Sequence, residues 1–261
     1  MRQDILNDYQ VLSSRDITEE EYNTIISLLD KYKMNKDNFI KNSKSLVLKE
    51  TTYPKQIYNG YYPKDNIVVY NKKSNIIREL LHVASSNGTD NSQGIVLRPS
   101  IIHARPLGIG LNEGITDLFL EYSNPENTCL FPFEKLCAKI LEYAFGINLY
   151  NNYFLNDDVA FDVSLNDKYI DLLMSIEDYT ILILRLKQIL ADKELLPRGV
   201  EAIVKIYMDM TIEDLLKVTK DSEKDCKSYI EKLLKEDSSM QEIYKIIGNY
   251  GSLSNSGCNP K

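Results

Sequence analysis

Histidine and cysteine, the usual holders of transition metals, are scarce in this chain of 261 residues, which has two histidines, His82 and His103, and four cysteines. The cysteines (Cys129, Cys137, Cys226 and Cys258) lie far apart with no Cys-x-x-Cys pair, so neither a cysteine-based zinc site nor a disulfide framework is indicated. A basic balance is also missing. Acidic residues outnumber basic ones 38 to 31, for a net charge of −7 and a pI near 5.1, and nucleic acid is not an expected partner. Long apolar runs are absent too: the longest, Thr180 to Leu184, stops at Arg185, far short of the ~20 residues of a membrane span. The opening MRQDILNDYQ lacks the apolar core of a signal peptide. What remains, 43% hydrophobic and 26% charged residues, is the balance of an ordinary soluble globular protein with ample length for a buried core. The expectation is a cytoplasmic protein that binds no membrane; its oligomeric state is left open.

Local patterns order the chain. Thr18 and Glu21 form a capping box, and Tyr22, Ile25, Ile26 and Leu29 follow at helical spacing. A shorter helix is expected around Asn35 to Lys41. Ser45–Glu50, Gln56–Tyr61 and Asn66–Tyr70 are short, rich in β-branched and aromatic residues, and separated by the turn pairs Tyr53-Pro54, Asn59-Gly60 and Tyr62-Pro63, which predicts about three strands. A helix from about Ser74 to Ser86 follows, then a Gly/Asn/Ser-rich connection, then a helix from near Asn112 to Tyr122. Beyond Asn124-Pro125 everything reads as helix. Pro132 suits a first turn and Gly146 a C-terminal cap, and long segments are expected at Asp167–Ala191 and Arg198–Met210. Thr211 with Asp214, Ser222 with Asp225, and Ser239 with Glu242 read as further helix starts. The implied division is an α+β part over residues 1–125, a helical part over 126–251 and a loose tail over 252–261.

Two stretches carry chemical information. Arg78, Glu79 and His82 lie within Ile77-Arg78-Glu79-Leu80-Leu81-His82, where positions 78 and 82, one turn apart, share a helix face. Asn112, Glu113, Thr116 and Asp117 lie within Gly108-Ile109-Gly110-Leu111-Asn112-Glu113-Gly114-Ile115-Thr116-Asp117. The glycines at 108, 110 and 114 lack the spacing of a dinucleotide loop and read as conformational freedom in a loop entering a helix. Were the two helices to pack together, the five ionisable side chains among these residues would form one polar cluster.

These stretches resemble the gluzincin metallopeptidases, the thermolysin-like branch of the zincins. In that family HExxH supplies two zinc-ligand histidines and a general-base Glu, and NExx[ST]D supplies the third ligand and a carboxylate that orients a ligand histidine. The resemblance implies a zincin-like α+β fold: a small N-terminal sheet, an active-site helix, a glutamate helix and an all-helical C-terminal half. It further implies Glu79 as general base, His82 and Glu113 as metal ligands, Asn112 and Asp117 as their supports, and Asn66–Tyr70 as the edge strand on which an extended substrate would pair. A Tyr that stabilises the oxyanion is also implied, with Tyr143 and Tyr150 among the candidates.

Residue 78 departs from that pattern. A guanidinium has no lone pair to give and stays charged at any relevant pH, so Arg78 cannot ligate zinc and its charge repels a dication. Two ligands remain where catalytic zinc ordinarily takes three. The expectation is therefore a pseudopeptidase without cofactor, in which Arg78 stands in for the metal's charge and a retained cleft binds peptide or protein. The alternative is an active zinc peptidase in which His103, the other imidazole of the chain, completes the ligand set. A third reading makes the motif fortuitous in a helical interaction protein.

Overall fold

Thr18 opens the first helix as its capping box predicts: its Oγ1 accepts the Glu21 N–H at 3.2 Å, and Glu21 Oε2 accepts the Thr18 N–H at 2.9 Å. Arg15 adds two hydrogen bonds to the same carboxylate, at 2.6 and 2.8 Å, which hold the Glu21 carboxyl below its ordinary pKa. The computed structural model describes residues 11–51, 60–71, 76–88, 94–95, 107–123, 129–155, 167–191 and 199–236. It divides into one unit of Met1–Val96 with Tyr150–Ala160 and a second of Leu97–Leu149 with Phe161–Lys261. The architecture is α+β.

The first unit contains β1 (Val11–Asp16), α1 (Glu19–Lys31), α2 (Asp37–Ser43), β2 (Val47–Thr51), β3 (Gly60–Tyr62), β4 (Ile67–Tyr70) and α3 (Ile76–Ala84). Its four strands run in the order β1-β2-β4-β3. β2 and β4 are parallel, with Val47 opposite Ile67 and Glu50 opposite Tyr70, while β1–β2 and β3–β4 are antiparallel. Val68 and Val69 point to opposite faces of the sheet and are both fully buried, so β4 is covered on both sides. α3 packs against β3 and β4 and against α1 and α2. Ile25 and Leu29 of α1 are fully buried, and Tyr22 stacks on Phe39 of α2 with ring centroids 5.4 Å apart.

Two expectations about this sheet are corrected. β1 was not anticipated, because VLSSRD is exposed along almost its whole length and carries no alternation of buried and exposed residues. And β4 is not an edge: β2 pairs with it on one side and β3 on the other, so its backbone has no open side for a substrate between Ile67 and Val69. Among the described residues the sheet edges are β1 and β3.

The second unit holds α4 (Ile109–Ser123), α5 (Pro132–Phe145), α7 (Asp167–Ala191), α8 (Val200–Thr219) and α9 (Cys226–Glu236). α6 (Ile147–Leu155) starts in this unit, and its residues from Tyr150 onward belong to the first. Pro132 and Gly146 bound α5 as their chemistry predicts, with Gly146 at φ +60°. Thr211 does not start a new helix. Its hydroxyl donates to the Tyr207 carbonyl at 2.9 Å, and α8 runs on to Thr219. Asp225 caps α9 by accepting the Ser228 N–H at 3.0 Å, whereas Ser239, Glu242 and the tail lie outside the described residues. Among the described residues no helix is long and apolar enough to cross a membrane.

The glycines preceding and within α4 divide by role. Gly108, at φ +101°, does enter the helix in a conformation that side chains avoid. Gly110 and Gly114 instead sit inside the helix, four residues apart on one face. A Cβ at Gly114 would overlap the Glu134 carbonyl of α5, and one at Gly110 would overlap the Thr180 side chain of α7. This close approach groups α4 with the helices that follow it, so the compact units part at residues 96 and 97, not near 125. Gly114→Ala should therefore destabilise the protein by about 3 kcal/mol or more through overpacking against backbone, well beyond the ~1 kcal/mol gained in helix propensity. Urea denaturation of the two proteins checks it.

Candidate functional site

α3 is buried all round. Leu80, Leu81, Val83 and Ala84 are fully inaccessible, and the three residues with chemistry are nearly so: Arg78 is 4% exposed, Glu79 8% and His82 5%. A helix this apolar would be unremarkable in a core; one carrying a guanidinium, a carboxyl and an imidazole within five residues is not, because each polar group lost to water must be met by a partner inside.

The end of α3 is fixed by side chains the sequence did not single out. Asn42, buried at the end of α2, donates through Nδ2 to the carbonyls of Val83 (3.1 Å), which also accepts the Ser86 N–H at 3.3 Å, and of Ser86 (2.7 Å), just past the end of α3. Asn66 in turn donates to the Asn42 carbonyl at 2.7 Å and to Ser45 Oγ at 2.9 Å, and it accepts the Tyr61 hydroxyl at 3.0 Å. Asn66 holds a left-handed backbone at φ +50°, which Asn tolerates better than most residues. Burial pushes the Tyr61 phenol up to about 12. The Tyr153 hydroxyl of α6 lies 3.5 Å from His82 Nδ1, and Tyr153 is fully buried with Phe154 edge-on to it at 4.9 Å. Of the tyrosines considered from sequence, Tyr143 stacks on Tyr229 of α9 at 4.2 Å and Tyr150 is buried on α6. Tyr153 was missed because nothing in LYNNYFL distinguishes one ring from the next.

In the second unit, α4 starts at Ile109, so Asn112 is not an N-cap: its own N–H already donates to the Gly108 carbonyl at 2.9 Å. Asn112, Thr116 and Asp117 are buried and Glu113 is half-buried. Thr116 donates its hydroxyl to the Asn112 carbonyl at 2.8 Å. Asp117 Oδ2 accepts the backbone N–H groups of Leu130 (2.9 Å) and Phe131 (2.7 Å), and Cys129 Sγ lies 3.4 Å from the same oxygen. This oxygen ties down the loop that enters α5, bonding the two residues just ahead of its first turn. Burial and the neighbouring Asp117 raise the Cys129 thiol to about 12.

A buried acidic group beside α4 also escaped the sequence reading. Glu134 of α5 accepts from the Thr180 hydroxyl at 2.8 Å, and burial pushes its carboxyl up to about 7. Glu177 of α7 is buried as well and accepts the Gly110 N–H at 3.1 Å, satisfying one of the free donors at the start of α4.

Arg78, Glu79 and His82 thus stand on α3 in the first unit, and Asn112, Glu113, Thr116 and Asp117 on α4 in the second. Arg78 contributes no lone pair to a metal, and among the described residues no group of three or more His, Cys, Asp or Glu is gathered where it could hold a metal ion. His103 lies outside the described residues. Compared with protein-family models, curated proteins and solved structures, the chain matches none of them.

Two measurements check this geometry. Asn42→Ala leaves the Val83 and Ser86 carbonyls buried without that partner and should cost about 1–3 kcal/mol, with hydrogen exchange of the last-turn amides of α3 accelerated. For Glu134, the folded carboxyl titrates near 7 and the unfolded one near 4.5. Between those values only the unfolded chain sheds the proton, so this group lowers stability as pH rises, by at most ~1.4 kcal/mol per unit. Glu134→Gln should therefore be more stable than the parent at pH 8, with the advantage vanishing near pH 4, in urea melts at both.

Proposed function

We propose that this chain is a gluzincin-like pseudopeptidase: a metallopeptidase homologue whose metal site has been replaced by an arginine and whose remaining role is to bind peptide or protein. The observation that carries the reading is Arg78. It occupies the first ligand position of an otherwise recognisable RELLH stretch, on a buried helix packed against a small sheet. Buried there, its guanidinium supplies positive charge at the position where the family holds a histidine bound to a dication. That charge offsets part of the desolvation of nearby carboxylates without performing any Lewis-acid chemistry. The NEGITD stretch lends independent support, since Asn112, Glu113, Thr116 and Asp117 match the family's second pattern in full. No catalytic step is assigned to Glu79: with no metal to hold and acidify a water, its carboxylate has no activated nucleophile to make.

The reading predicts that the purified protein carries no stoichiometric zinc and that added zinc or EDTA leaves its peptidase activity at background. Arg78→His restores the family's two-histidine helix, and elemental analysis should then find about one zinc per chain. Stoichiometric zinc in the parent protein, or a folded revertant that takes up none, overturns the proposal.

A further inference from the structure

We infer that Tyr153 is a positioning residue for His82, and that it holds the imidazole in the tautomer whose proton sits on Nε2. The inference rests on the reading of α3 as a former metal helix only for its consequence; its geometry stands alone. His82 and Tyr153 are both buried, and the phenol oxygen faces Nδ1 at 3.5 Å. Tyr153 is itself held. Phe154 packs edge-on to its ring, and Asn38 of α2 donates to the Phe154 carbonyl at 3.0 Å, tying this turn of α6 to the first unit. A buried phenol has one proton to place and is a better donor than acceptor, and a neutral imidazole offers one lone pair. When the Tyr153 hydroxyl donates to Nδ1, the ring proton must reside on Nε2.

The consequence is chemical. A metal ligand offers a lone pair from one ring nitrogen while the other donates its N–H to a support. Here Tyr153 occupies Nδ1 as a donor, so Nε2 carries hydrogen and His82 is set as a hydrogen-bond donor. The contact is long for a hydrogen bond, so the bias it imposes is modest, about fivefold to tenfold in the tautomer ratio. Zinc binding by an Arg78→His protein must reverse that bias. Tyr153 is then a second, weaker obstacle to the metal besides Arg78.

The test uses the full chain at a pH where imidazole is neutral. With two histidines in the sequence, His103→Gln leaves His82 as the sole signal in long-range proton–nitrogen NMR spectra. The parent should show His82 with its proton on Nε2, and Tyr153→Phe, which keeps the ring and its packing, should lower that preference about fivefold. A His82 protonated on Nδ1 in the parent overturns the inference, as does a tautomer ratio unchanged in a folded Tyr153→Phe protein. If Tyr153→Phe fails to fold, a parent His82 protonated on Nδ1 still overturns the inference, and the zinc affinity of Arg78→His with Tyr153→Leu takes the variant's place. In the Arg78→His background, Tyr153→Phe should tighten zinc several-fold, and equal or weaker binding counts against the inference. Failure of Arg78→His to bind zinc at all would instead strike the pseudopeptidase reading and leave the tautomer result standing.

Discussion

A permanently charged guanidinium in the interior is the constraint around which the first unit is arranged. Arg78 cannot lose its charge to escape desolvation, as a buried lysine can by shedding a proton or a carboxylate by taking one up, so its position must be paired with acceptors by surrounding structure. Breaking such pairing is far costlier than never having made it. This asymmetry explains why a helix otherwise made of Ile, Leu, Val and Ala side chains tolerates Arg78, Glu79 and His82 together: each can be buried only in company. It also explains the attention the fold gives to the end of α3. The Tyr61–Asn66–Asn42 chain of hydrogen bonds ends on the carbonyls of Val83 and Ser86, and so fixes the last turn of the helix that carries the guanidinium.

The second unit solves a different problem, that of bringing helix backbones close. Gly110 and Gly114 remove side chains from one face of α4, and polar groups then settle the backbone that this exposes to its neighbours. Glu177 accepts the Gly110 N–H, and Asp117 accepts two N–H groups ahead of α5. Glu134, left beside the contact, keeps its proton well above the usual carboxylate range and releases it only near pH 7, because water cannot reach it. Packing and electrostatics are coupled here: the closer the helices, the drier the carboxyl.

Elements with a strong local signal were legible from sequence. The Thr18–Glu21 box, the Pro132-to-Gly146 helix and the Asp167–Ala191 helix all have local causes, and they stand where local rules put them. What sequence missed has non-local causes. β1 exists through its pairing with β2, not through any pattern of its own. α6 follows directly on Gly146 with no cap or break long enough to announce it. β4 reads the same from sequence at an edge or in the middle, because β3 reaches it from a segment separated by a turn. The candidate residues on α3 and α4 were found by helical spacing and by resemblance to a family pattern, but Asn42, Asn66, Tyr153 and Glu134 derive their roles from partners tens of residues away, and no periodicity marks those.

The residues of the NEGITD stretch bear on function less directly than the motif suggests. Gly114 is required by its contact with the α5 backbone, Thr116 ties its hydroxyl to the preceding turn, and Asp117 anchors the loop before α5. Each of these tasks needs that residue type whether or not a metal is bound anywhere in the protein. A chain that gave up zinc would thus still be held to Gly114 and Asp117 by stability, so the presence of the pattern is no measure of activity. The informative position is one where the demands of folding and of metal binding diverge. Residue 78 is such a position: folding asks that a polar group buried there be paired, metal binding asks for a lone pair, and an arginine can meet the first demand and never the second.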